Sequence, residues 1–273
     1  MGDESTPAVG YGGRWQGLRN GDETMWQDIR EFYAASWKFA LAVPILFLIP
    51  PLFEFAQHVA EIHIGMYANR AAAKALANND VRLGFGFAKT VALILPGYWF
   101  TRFMAWDDAR KAGRPDRPAF ALWLILFAAQ AALQAFTLFG PSIGALIGLA
   151  GQPAQVASAA LALVAGIAGM WLTAWGVAWP LGNAACGPIQ SVKVMAGSFW
   201  RTMGYTLAGV LPLMVVHYAL GLGAIGLPAW AYWPMLAIDA VAVGFLACAM
   251  AGSAFVAARH AARRNDYPLI PPR

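Results

Sequence analysis

Six apolar stretches, at residues 38–62, 83–104, 118–139, 155–184, 202–225 and 230–258, dominate this chain. A bilayer core of roughly 30 Å takes about 20 apolar residues in a helix. Each stretch is long enough, and the expected fold is therefore all-α: a polytopic transmembrane bundle of about six spans. Composition agrees, since only 12% of the residues are charged where a soluble domain carries about 25%. So little charge cannot cover a water-facing globule.

The spans are rich in proline: Pro44, Pro50 and Pro51 in the first, then Pro96, Pro180, Pro212 and Pro234. Each removes a helix hydrogen bond, so kinks are expected, with neighbouring helices satisfying the freed carbonyls. Before the first span, Thr24 and Gln27 fit a capping box. Trp26, Ile29, Phe32, Tyr33 and Trp37 then recur at helical spacing opposite Asp28 and Glu31. That pattern predicts an amphipathic helix over 24–37 lying on the membrane surface. A second is expected before span five, where Ile189, Val192, Val194, Met195 and Phe199 lead into Trp200-Arg201. The parallel with Trp37-Lys38 hints at a faint three-plus-three duplication.

Residues 1–23 read as a flexible tail and 259–273 as a basic one. Gly2 and Thr6 match a myristoylation pattern, read as a chance match because six spans hold the chain far better than one acyl group. Gly140, Gly144 and Gly148 form a doubled G-x-x-x-G in an apolar connector too short to cross. It would allow close helix contact if helical.

Basic residues set orientation. With the N-terminus inside, 15 of the 19 Lys and Arg residues fall on the inner side. They include Arg102, Arg110, Lys111, Arg114 and Arg117, a group suited to anionic lipid headgroups. Arg70, Lys74, Arg82 and Lys89 fall around the first external loop. The expected location is a bacterial inner membrane with both termini cytoplasmic. The net charge of +5 is spread between apolar runs, so it marks orientation and no nucleic-acid partner is expected.

Ionisable groups inside apolar runs are the main functional signal, because a buried carboxylate costs about 2.5–3.5 kcal/mol at mid-bilayer by insertion scales. Asp239 lies within span six with no local partner. Glu54, His58 and Glu61 share one face of span one, His217 lies in span five, and Gln130 and Gln134 share a face of span three. At about 1.5 Å rise per residue, Glu54, Gln130, Gln134, His217 and Asp239 reach similar depths in the outer half, with His58 one turn beyond Glu54 on the same face. They form a candidate polar cluster for protons, a cation or a small polar substrate. Interhelical hydrogen bonding is the simpler alternative, with Glu61 and His63 in the outer headgroups.

The Glu54, His58, Glu61 spacing suits metal ligation, but repeated Glu-x-x-His pairs are absent, so neither metal nor cofactor is expected. Gly221, Gly223 and Gly226 satisfy G-x-G-x-x-G, yet at the end of a span, not after a strand. No nucleophile elbow, Walker or kinase motif occurs, so no enzyme is expected. Cys186 and Cys248 imply no disulfide framework.

The stretch Ala174-Trp-Gly-Val-Ala-Trp-Pro180, the segment Ser198-Phe-Trp-Arg201 and the Pro212 span resemble a six-helix family. It includes the membrane domain of some bacterial glycerophosphodiester phosphodiesterases. The resemblance implies six helices; it transfers no catalytic residues, since that family's chemistry resides in a separate soluble domain. The expected role is a non-enzymatic scaffold or accessory subunit, in contact with lipid and other membrane subunits. The alternative is a small transporter or channel using the polar cluster.

Overall fold

The structure, a computed structural model, describes residues 24–114 and 116–271; the expected tail over 1–23 and the Gly2–Thr6 pattern lie outside the described residues. The described chain is helical with no strand. Six helical stretches are long and apolar enough to cross a membrane, and the protein is a polytopic membrane protein.

The helices are α1 (Met25–Ala42), α2 (Pro44–His63), α3 (Arg70–Ala75), α4 (Asp80–Ile94), α5 (Gly97–Trp106), α6 (Ala109–Gly113) and α7 (Arg117–Phe139). They continue with α8 (Ile143–Leu146), α9 (Gly151–Gly169), α10 (Thr173–Ala178), α11 (Pro188–Met195), α12 (Phe199–Gly223) and α13 (Ala229–Arg264). Helix α1 ends at Val43, the residue before Pro44, where proline disfavours helical backbone. Helices α4 and α5 make one crossing interrupted at Leu95 and Pro96. The fourth crossing runs from Gly151 to Ala178, shorter at its end than expected, because Pro180 and left-handed Gly182 close it.

Helix α13 is the axis, packing against α12, α2, α1, α10 and α5. At about 1.5 Å per residue its 36 residues reach roughly 54 Å, well beyond the hydrocarbon core. The helix continues through Arg264, so the expected basic tail over 259–273 begins as packed helix. Gly244 lets α2 approach α13: a Cβ there would lie 2.7 Å from Pro51 Cγ and 2.9 Å from Phe47 Cζ. Small residues at such crossings let membrane helices pack by close contact.

Helix α1 forms over the segment expected to be amphipathic, but the face it buries is not the one expected. Asp28, Phe32, Ala35, Ser36 and Phe39 are buried, while Trp26 and Trp37 are exposed. The acidic face turns inward because Arg259 of α13 meets it, 2.8 Å from Asp28 Oδ1 and 2.6 Å from Glu31 Oε1. Tyr205 of α12 donates a short hydrogen bond to Asp28 as well. Thr24 N–H donates to Gln27 Oε1 at 3.1 Å, as the capping pattern implied. In α11, Val194 and Met195 are buried but Ile189 and Val192 are exposed.

The connector over 140–151 holds the short α8, packed on α9. Its glycines form no continuous ridge: Gly140 is extended and Gly148 and Gly151 have positive φ. Gly144 approaches α9 closely, since a Cβ there would meet the Ala154 carbonyl oxygen at 2.3 Å, whereas Gly140 abuts Phe136 of its own preceding turn. Gly226, last of the G-x-G-x-x-G, turns with φ of 82° and donates its N–H to Tyr67 O at 2.9 Å.

Candidate functional site

Three spans bring the polar cluster together. Glu54, His58 and Glu61 lie one helical turn apart on α2 and face inward. Asp239 comes from α13 and His217 from α12. Asp239 is fully buried and sits between two histidines: its Oδ2 is 2.9 Å from His58 Nε2, and its Oδ1 is 2.8 Å from His217 Nδ1. A carboxylate accepts only, so both ring nitrogens serve as donors in this arrangement.

That assignment leaves His58 Nδ1 to accept, and the Tyr67 hydroxyl lies 3.0 Å away to donate. Tyr67, in the loop after α2, has its pKa raised by burial and then by the Glu61, Asp239 and Glu54 carboxylates, so it keeps its proton. A hydrogen-bonded chain thus runs from Tyr67 through His58 and Asp239 to His217. Its His217 end is 16% exposed at the side chain, its Asp239 centre 0%.

Two cations flank the chain. Lys89 Nζ of α4 is 3.1 Å from Glu54 Oε2, and Arg82 Nε is 3.1 Å from Glu61 Oε1. Gln57 Nε2 donates to Glu61 Oε1 at 2.7 Å. Glu54 also lies 3.3 Å from His58 Nε2. Buried charge of this density survives only when paired, since desolvation costs several kcal/mol per ion.

Comparison with family models, characterised proteins and solved structures returns no match for this chain.

Of the residues expected in the cluster, Glu54, His58, His217 and Asp239 meet. Gln130 and Gln134 do not: on α7 Gln130 is exposed and Gln134 half-buried, and neither bonds to the cluster among the described residues. Helix α7 packs on α4, at the rim of the bundle, so its polar face never reaches the centre. Glu61, expected among outer headgroups, is buried at 5% exposure, while His63 is exposed as expected. Arg82, Lys89, Tyr67 and Gln57 were missed. Lys89 carried a readable signal, because it sits inside the apolar run 83–104 rather than in the loop beside it.

The expected lipid-contacting group also divides. Arg110, Arg114 and Arg117 are exposed and Lys111 is half-buried. Arg102 is buried: its guanidinium stacks over Trp106 at 4.4 Å and donates to the Pro180 carbonyl at 3.2 Å. It is a packing residue, held there because Arg stacks well on aromatic faces. At this end of the bundle a cavity of about 930 Å³ is lined by Lys111, Asp116, Arg259, Arg263 and Asp266 with Phe255 and Tyr267.

Proposed function

We propose that this chain is a bacterial inner-membrane carrier, both termini cytoplasmic, that moves a proton or small cation through the Asp239 cluster. The observation that carries the reading is the buried His58–Asp239–His217 linkage, formed from three different crossing helices. Intramembrane ionisable residues that pair with one another typically mark ion pathways and proton relays. Imidazole takes up and releases protons near neutral pH, and Tyr67 and His217 provide the two ends of the hydrogen-bonded chain. The role proposed is not enzymatic.

The test is flux in liposomes. Purified protein in vesicles with an imposed pH gradient should dissipate it, read by an internal pH dye. Asp239→Asn removes the charge and one of the two acceptor oxygens that the histidines share, and the rate should fall to that of empty vesicles. Flux absent in the wild type, or unchanged in Asp239→Asn, would sink the carrier reading.

A second reading, a scaffold or accessory subunit in a membrane assembly, is favoured by one other observation. Helix α9 buries only Ala154, and Val156, Leu163 and Val164 are 61%, 66% and 59% exposed. Apolar faces this bare in a crossing helix pack against lipid or against another subunit. Purification in mild detergent would separate these: a monomer free of partners counts against the accessory role.

A further inference from the structure

The cluster holds more ligand chemistry than hydrogen bonding uses. One donor atom each from Glu54, His217 and Asp239 lies within 4.8 Å of the other two. His58 Nε2 adjoins two of the three, 2.9 Å from Asp239 and 3.3 Å from Glu54. The donors are thus two imidazole nitrogens and two carboxylates on three helices. The sequence alone offered only the single-helix Glu54, His58, Glu61 spacing, which lacks these partners. Glu54 adds an independent sign: its Oε2 is buried and accepts no aligned hydrogen bond, although the Lys89 ammonium is near.

We propose that Glu54, His58, His217 and Asp239 bind one divalent first-row transition-metal ion. Two imidazoles with carboxylates suit Zn²⁺, Fe²⁺ or Co²⁺, whereas Mg²⁺ and Ca²⁺ take oxygen ligands. Such sites form in helical bundles where side chains from facing helices project inward. Ligation through His58 Nε2 requires that nitrogen to be unprotonated, leaving the proton on Nδ1. That N–H then has an acceptor, because Glu61 Oε2 is 3.5 Å from His58 Nδ1. A carboxylate behind a ligating histidine fixes its tautomer and orientation, and Arg82 and Gln57 hold Glu61 in place.

Charge points the same way. With both histidines neutral, Glu54, Glu61 and Asp239 outnumber Lys89 and Arg82 by one, which leaves room for one further positive charge, a proton on imidazole or a metal ion. A proton and a metal ion compete for that position, and metal binding releases protons from the histidines. The Lys89 ammonium, 22% exposed at the side chain, is the group that gives way at Glu54.

The test is titration of the full chain in nanodiscs, freed of metal, with Co²⁺ and Zn²⁺. One ion per chain is expected, with visible Co²⁺ absorption from a nitrogen–oxygen shell. Combined Asp239→Asn and His217→Gln should abolish binding, Glu61→Gln should weaken it about 10–100-fold, and Gln130→Ala should leave it unchanged. No binding by the wild type at millimolar ion, or equal binding by the double variant, would overturn the site. Should the double variant misfold, X-ray absorption of the metal-loaded wild type still decides. Two imidazoles among the ligands support the site, and an all-oxygen or sulfur shell overturns it. Metal bound without any flux would sink the carrier reading and leave this site standing.

Discussion

At the scale of single residues, partners decide what each ionisable group does. Asp239 is tolerated in a crossing helix because two histidines reach it; Glu54 and Glu61 are tolerated because Lys89 and Arg82 do. Cys186 shows the other outcome. It is fully buried, and burial raises its thiol pKa, partly opposed by the hydrogen bond to Tyr267. The thiolate is the reactive form, so Cys186 should resist maleimide labelling at pH 8 in the folded protein and react once the protein is unfolded. A raised folded-state pKa costs nothing below the unfolded value near 8.5, and stability falls as pH rises through and beyond it. Rapid labelling of Cys186 in folded protein would contradict this.

At the scale of elements, glycine and proline set how the helices meet. Pro44 separates α1 from α2 and lets α1 turn its acidic face to Arg259, which a continuous helix would not. Gly244 sets the distance between α2 and α13 and thereby the reach of His58 to Asp239, about one and a half turns further along. Gly244→Ala places a methyl against the Pro51 ring. Overpacking of this kind costs about 1–3 kcal/mol. A lowered thermal midpoint in detergent is expected, with no loss for alanine at Gly166, which lies within α9 and faces open space. Equal midpoints for the two variants would show that α2 retreats freely.

At the scale of the whole molecule, α13 joins two regions. One end holds the polar cluster; the other, around Phe255 and Ala258, packs α1, α5, α10 and α11 into the main apolar core. Arg259 ties that core to α1 through Asp28 and Glu31. Removing one partner of a buried ion pair costs about 3–5 kcal/mol. Glu31 is partly exposed, so the loss for Arg259→Leu should come chiefly from Asp28, left buried beside Tyr205. The variant should release α1, read as faster proteolysis near Trp26 and a lower melting point. Unchanged proteolysis would show that the apolar contacts of Phe32 and Phe39 hold α1 alone.

The membrane class, the six crossings and the turn positions were legible along the chain, because apolar length and proline chemistry act locally. The presence of Asp239, Glu54 and His217 at similar depth was legible for the same reason: helix rise converts position into height. Which polar residues meet was not. Gln130 has the right depth but lies on α7, which never reaches the centre, while Arg82 enters from just outside the apolar run 83–104 and Lys89 from within it. Asp28 and Glu31 look like a solvent face until Arg259 arrives from 228 residues away. Depth is a property of one helix; rotation about its axis and choice of neighbour belong to packing between helices, and only the tertiary structure decides them.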